Sequence, residues 1–352
     1  MNLTQPTQST SLFLQAAWGN DTPRAPIWLM RQAGRYLPEY LAIKARSSFW
    51  EMVRTPELAA LVTLQPLRRF ELDAAIIFSD IMTPLPAMGL EIEFSPGPVV
   101  AQPLRSLAQI EALHLPQAGE SAPFLFEAIR LVRQELEGRG VAVIGFAGAP
   151  LTLATYLVQG AGSKDYEEFR AFLRQEPVAA HRLLEKLTQL SIQYLTDQVL
   201  AGAQAVQLFD SWAGLHDQAS YLEFALPYNR AIFKALEGLG VPRIYLAVAA
   251  SHLYPVLSKL PCEVFSLDWR QGLGQTRPHF PGRTLQGNLD PAVLLASPPV
   301  ITREAHQVLR SGLGGPHIFN LGHGVIRTTP PEHVAHLVET VKQFNRHAQE
   351  TR

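Results

Sequence analysis

The sequence has little cysteine, little net charge and no long apolar run. Its one cysteine, Cys262, excludes an intramolecular disulfide and a cysteine-based zinc cluster. That fits a reducing compartment. Thirty Lys plus Arg nearly cancel 31 Asp plus Glu, leaving a net charge of −1. No nucleic-acid or membrane-surface partner is indicated by that balance. No segment reaches the roughly 20 apolar residues of a membrane-spanning helix. The first 25 residues are rich in Ser, Thr and Gln without an early basic residue. They read neither as a secretory signal nor as an Arg-rich transit peptide. The expectation is a soluble, cytoplasmic protein. Also missing are a G-x-S-x-G elbow, a P-loop, a strand-end lysine suited to a Schiff base, and any His-x-His or His-x-Cys pair. A metal site is therefore not expected.

What is present is the composition of a compact protein with a large core: 352 residues, 47% hydrophobic and 17% charged. Eight short β-like runs recur, at residues 26–30, 74–78, 141–146, 205–209, 243–249, 263–267, 284–286 and 317–320. Most are continuously apolar, as strands covered on both faces should be. Helical periodicity fills most of the gaps, over 56–70, around 125–136, and over 165–201 with a break at Pro177. The last helix carries a capping-box pattern, with Thr329 as cap, Pro330 first and Glu332 reaching back. Strands alternating with helices on a chain of this length predict an α/β fold, a single (β/α)8 TIM barrel. A doubly wound open sheet is the runner-up. Residues 1–24 read as a polar, partly flexible leader and 25–352 as the catalytic barrel. Two Gly/Pro-rich segments, 89–103 and 272–281, read as loop insertions.

Polar residues and glycines gather at the carboxyl ends of the runs: Arg31, Arg35, Asp80, Ser211, Asp268, Asn288, Asp290 and His323. In a barrel these ends form one active-site mouth. The first run breaks into Arg31-Gln32-Ala33-Gly34-Arg35. Two arginines around a small pair suit an anionic ligand, since guanidinium forks match carboxylates and Gly34 admits close approach. A solvated surface loop is the plainer reading. Asp80 follows AAIIF and is either a functional carboxylate or a turn cap. His323, between Gly322 and Gly324, has little around it to pack against and suits a ligand contact. Tyr156, taken alone, suits core or rim.

These residues sit in longer motifs: MRQAGRYLPEY from Met30, LQPLRRF from Leu64, DAAIIFSDI from Asp73, GFAGAPLTLATY from Gly145, QLFDSWAG from Gln207, LQGNLDP from Leu285 and FNLGHGV from Phe319. In them the chain resembles the uroporphyrinogen decarboxylase family from about residue 25 to its end. The resemblance implies a (β/α)8 barrel and a lyase of haem biosynthesis. Its substrate would be uroporphyrinogen III, whose four acetates become the methyls of coproporphyrinogen III without metal or organic cofactor. It also implies a homodimer. Asp80 matches the aspartate that accepts hydrogen bonds from the pyrrole nitrogens, and Arg31 and Arg35 match the carboxylate-binding arginines. Tyr156, Ser211 and His323 match further polar contacts, and Gln32, Ala33 and Gly34 form the first loop's backbone. Arg31 is the family's candidate proton donor. A guanidinium is a poor acid, so a water or a substrate carboxyl is the alternative. Lys44 stands where some members carry a further arginine, which would make that contact monodentate. Two other readings remain: a zinc/thiol-dependent methyltransferase of the same superfamily, and a non-catalytic tetrapyrrole-binding protein.

Overall fold

A computed structural model of the chain describes residues 11–94 and 97–346. Seven parallel strands form one sheet: β1 (Ala74–Ile76), β4 (Ala142–Gly148), β5 (Ala205–Asp210), β6 (Arg243–Ala247), β7 (Val264–Leu267), β8 (Thr284–Leu289) and β9 (His317–Leu321), hydrogen-bonded in that order. Two short strands, β2 (Ile92–Phe94) and β3 (Pro98–Val100), pair as an antiparallel hairpin inside the segment expected to be loop. Helices connect most of the sheet strands. The long helical region divides at Pro177 as the sequence predicts, into Glu167–Gln175 and Pro177–Leu200.

The sheet is curled. Gln286 on β8 donates to Gln207 on β5 at 3.0 Å and to Ser266 on β7 at 2.8 Å, while the Trp28 indole donates to Gln286 at 2.9 Å. In a flat sheet, strands three places apart lie about 14 Å from each other. A direct side-chain bond between β5 and β8 therefore requires strong curvature. Inside the curl pack Ala74, Ile144, Ile244, Leu246, Val264 and Ile318, with Trp28 and Met30. The Leu12–Ala17 helix closes the base with buried Phe13, Leu14, Ala16 and Ala17, and Thr284 donates to the Ala16 carbonyl at 2.6 Å. It lies within the expected leader, of which residues 1–10 fall outside the described residues.

The expected closed barrel of eight regular strands needs correction. The first run, 26–30, makes one parallel bridge, Ile27 to Phe319, and is not a strand. It lies between β9 and β1 on scattered bonds. The Phe319 N–H donates to the Pro26 carbonyl at 2.8 Å, and the Asp73 N–H to the Ile27 carbonyl at 2.8 Å. The Trp28 N–H donates to the Phe319 carbonyl at a longer 3.4 Å, and side chains take other N–H groups: Asp73 accepts from Ile27 and Asn320 from Met30. Pro26 has no N–H to give, and Arg31 turns the chain out at φ 61°. The extended stretch is too short for a ladder, and the regular sheet stays open between β9 and β1.

Several end points also move. Strand β8 continues to Leu289, three residues past the expected exit. The last helix runs Pro331–Gln343, capped by Pro330 without a side-chain bond, and the Thr329 hydroxyl is buried without a partner among the described residues. A residue before proline is pushed out of the helical region. Pro330, held before Pro331 at ψ 130°, therefore cannot begin the helix.

Candidate active site

Asp80 follows β1 on a turn braced from both sides. Its Oδ1 accepts the Met82 N–H at 3.0 Å, and its own N–H donates to the Thr83 hydroxyl at 3.1 Å. No hydrogen bond within the described residues engages Oδ2. Burial pushes the carboxyl above its ordinary pKa, while the Met82 N–H and the Arg31 guanidinium pull the other way. The capping reading of this residue thus holds on Oδ1, while Oδ2 is left without a hydrogen bond among the described residues.

Arg31 is exposed and left-handed at φ 61°. It reaches that conformation because the turn around it is fixed. Buried Gln32 accepts from the Leu29 N–H at 3.1 Å and donates to the Ala74 carbonyl at 3.1 Å, and Tyr36 donates to the Gln32 carbonyl. A Cβ on Gly34 would press on the Arg31 carbonyl, and one on Gly324 would overlap the Arg31 side chain. Gln32 is thus a brace whose side chain points away from the mouth, and Ala33 is half-buried beside it. Arg35 is exposed and acts on Tyr40. Lys44 is exposed in the last turn of the Pro38–Lys44 helix.

His323 is half-buried in the loop after β9. Its Nδ1 accepts the Gly324 N–H at 2.8 Å, which puts the ring proton of the neutral form on Nε2. Burial, with help from Arg31 and Arg270, lowers its pKa to about 4. The ring is a neutral donor at neutral pH. Tyr156, on the Pro150–Gln159 helix, lies edge-on to Tyr166 and Trp212 with centroids 5.9 and 6.0 Å away. Burial raises its pKa, and both Asp80 and Arg31 act on it. Ser211 is half-buried directly after β5.

Asp80, Tyr156 and His323 each lie within electrostatic reach of Arg31, which brings these four side chains together. Ser211 joins through its neighbour Trp212. Other strand-end residues serve the scaffold. Asn288 donates to the Asp268 and Gln271 carbonyls at 2.8 and 2.7 Å, and Asp290 caps the turn at Ala292. Asp268 accepts from the Ala249 and Arg270 N–H groups and pairs with the Arg270 guanidinium. Sequence reasoning passed over Trp212 and Tyr166, which wall the site, and Arg270, which acts on His323. The signal for Arg270 was a second arginine just past a strand exit.

Cys262 is fully buried in the core, and burial drives its thiol pKa well above the ordinary value. A zinc-binding cysteine needs the thiolate, which that environment opposes. Among the described residues, no three His, Cys, Asp or Glu side chains group closely enough to hold a metal ion.

Residues 8–344 match the family model described as uroporphyrinogen decarboxylase (URO-D). A uroporphyrinogen decarboxylase of Geobacter metallireducens is 45% identical over 335 residues, covering 95% of this chain and 98% of the relative. That of Syntrophotalea carbinolica is 46% identical over 334 residues, covering 94% and 97%. Among solved structures, a methyltransferase from Methanosarcina mazei superposes with a TM-score of 0.79, over 96% of this chain and 99% of that one. At 20% identity, the likeness is one of fold.

Proposed function

The chain belongs to the uroporphyrinogen decarboxylase family, and from that premise we propose how its own residues perform the reaction. It removes the four acetate carboxyls of uroporphyrinogen III as carbon dioxide and leaves coproporphyrinogen III. The substrate supplies its own electron sink. A proton added to a pyrrole carbon makes that ring cationic. The electrons of the breaking carbon–carboxylate bond then flow into the ring as carbon dioxide leaves. A second proton is added at the exocyclic carbon, and the ring proton is returned. Each cycle thus exchanges one carboxylate for one hydrogen.

The observation that carries the assignment of roles is Asp80, with its Oδ2 uncommitted and Arg31 acting on it at the mouth. We assign Asp80 the pyrrole N–H groups: an anion set there offsets the positive charge that grows on the ring, most strongly where water is scarce. Arg31 and Arg35 take substrate carboxylates, and Arg31 orients the reacting acetate beside Asp80. Tyr156, Ser211 and neutral His323 offer O–H and N–H donors to further carboxylates. Gln32, Ala33 and Gly34 hold the loop that presents both arginines.

We read residues 25–352 as the catalytic unit, with segment 26–30 lying along the open edge between β9 and β1; its hydrogen bonds to Phe319 and Asp73 support that reading. A cytoplasmic homodimer that binds no nucleic acid is our further reading. The near-zero net charge and a single buried thiol support it, and among the described residues no helix is long and apolar enough to cross a membrane. Sedimentation at two concentrations tests the dimer.

The reaction is tested by anaerobic incubation with uroporphyrinogen III in EDTA, with products separated by chromatography. Wild type should yield coproporphyrinogen. Binding without carbon dioxide release would establish a carrier instead, and stoichiometric zinc in the purified protein would revive the methyltransferase reading.

A further inference from the structure

A second built cation stands at the mouth. Arg270 lies three residues past Leu267, the last residue of β7. Its guanidinium lies over the Trp269 ring, 4.5 Å from the centroid, and Nη1 donates to Asp268 at 2.8 Å. Asp268 is buried, with a side chain 5% exposed, whereas that of Arg270 is 48% exposed. The turn beneath is held hard. The Arg270 N–H donates to Asp268 at 2.9 Å, the Ala249 N–H donates to the same carboxylate, and Asn288 donates to the carbonyls of Asp268 and Gln271.

Its position follows from two glycines. A Cβ on Gly322 would overlap the Trp269 backbone and ring, and one on Gly324 would overlap the Arg31 side chain. The loop carrying His323 is therefore sandwiched between Trp269 and Arg31. Arg31 and Arg270 thus flank His323 and both act on its ring, and the Arg270 side chain is open to solvent.

We propose that Arg270 is a specificity-determining residue that binds a propionate carboxylate of the substrate. This rests on the decarboxylase reading above. The chemistry selects propionate over acetate. Arg31 already serves the reacting acetate, and a second cation on that carboxylate would stabilise the ground state further and slow its loss. A propionate keeps its charge through every step, and a solvent-facing edge accommodates it while an acetate faces Asp80. Asp268 and Trp269 hold the guanidinium in place, leaving Nε and Nη2 to form the fork.

The test separates Arg270 from the reaction. Coproporphyrinogen retains propionates and has no acetates, so its anaerobic binding reads this contact without turnover. Arg270→Ala should weaken coproporphyrinogen binding about 10- to 100-fold, the range for a charge-assisted bond. It should raise KM for uroporphyrinogen by a similar factor, with a much smaller change in kcat. Arg270→Lys, which keeps the charge and loses the fork, should fall between. Unchanged product binding in a folded Arg270→Ala overturns the proposal, as does a loss confined to kcat. If wild type binds the porphyrinogens without decarboxylating them, the functional reading fails while the binding difference still decides on Arg270.

Discussion

Asp80 divides two tasks between two oxygens. Oδ1 holds the turn through the Met82 N–H, and Oδ2, without a hydrogen bond among the described residues, is the oxygen assigned to the substrate. Asparagine keeps an acceptor in the Oδ1 position and loses the charge. Asp80→Asn should therefore keep the thermal midpoint of wild type while kcat falls about 10²- to 10³-fold, the scale of removing a preorganised electrostatic group. Asp80→Ala removes both functions and should also lose about 1–3 kcal/mol, because the buried Met82 N–H is left without an acceptor. Calorimetry alongside product chromatography distinguishes the two variants. Full activity in Asp80→Asn would remove the charge-stabilising account. Much of this site was legible in the chain because Asp80 and His323 sit at strand exits, and because the motif around Arg31 resembles a known family. Gln32 was not, since nothing local shows that its amide turns inward to the Ala74 carbonyl, 42 residues away. Arg270 was missed because Asp268 beside it drew attention as an acid, whereas its carboxylate is spent on holding the turn.

The loop after β9 shows why neighbouring glycines need not be equivalent. A side chain at Gly322 meets backbone atoms of Trp269, which cannot yield without moving the end of β7. A side chain at Gly324 meets the aliphatic stem of Arg31, which can swing aside. Gly322→Ala should lower stability by about 1–3 kcal/mol, the usual cost of overpacking, and activity with it. Gly324→Ala should leave stability near wild type and raise KM by dislodging Arg31. Urea titration and steady-state kinetics on both variants check this; equal stability losses would sink the contrast. The same kind of reasoning explains which elements could be read in advance. The strands of the sheet are covered on both faces, so their apolar runs stand out. The 26–30 run has the same pattern and is not a strand, because the Asp73, Gln32 and Asn320 side chains take the Ile27, Leu29 and Met30 N–H groups. The Leu12–Ala17 helix was hidden in a polar stretch, yet it places Phe13 at the base of the curl. Phe13→Ala should cost about 3–5 kcal/mol, measured by urea unfolding, with turnover per folded molecule retained.

For the molecule as a whole, buried histidines set the response to acid. His216, His317 and His323 have pKa values lowered to about 4, 3 and 4, with burial the largest cause in each. His317 shows the physics most plainly. Its Nε2–H donates to the Gly287 carbonyl at 2.8 Å, and its Nδ1 has no partner among the described residues. Arg277 and Arg346 add repulsion, so a second proton would be enclosed with nothing to accept it. Above the ordinary pKa of 6.5 each ring is neutral in both states and pH does not matter. As pH falls below it, the unfolded chain takes up protons that the fold refuses, and stability drops until the folded pKa is passed. Each histidine contributes up to about 1.4 kcal/mol per pH unit. Asp80 and Asp210 oppose this, since burial raises their folded pKa values and lets the fold bind protons first. Their effect runs from the raised folded pKa down to the ordinary carboxylate value, so the histidine share is read by comparing wild type with a variant that lacks one ring. Through each of these three histidines wild type should lose stability from pH 6.5 towards 5. His317→Gln can still donate to Gly287 and does not titrate. It should be less stable at pH 7, yet its stability should fall less steeply between pH 6.5 and 5, by about one proton's worth of slope. Urea midpoints at half-unit pH steps read this directly. Parallel profiles for the two proteins would mean that the proton is accepted at His317 without cost, and that the acid sensitivity arises elsewhere.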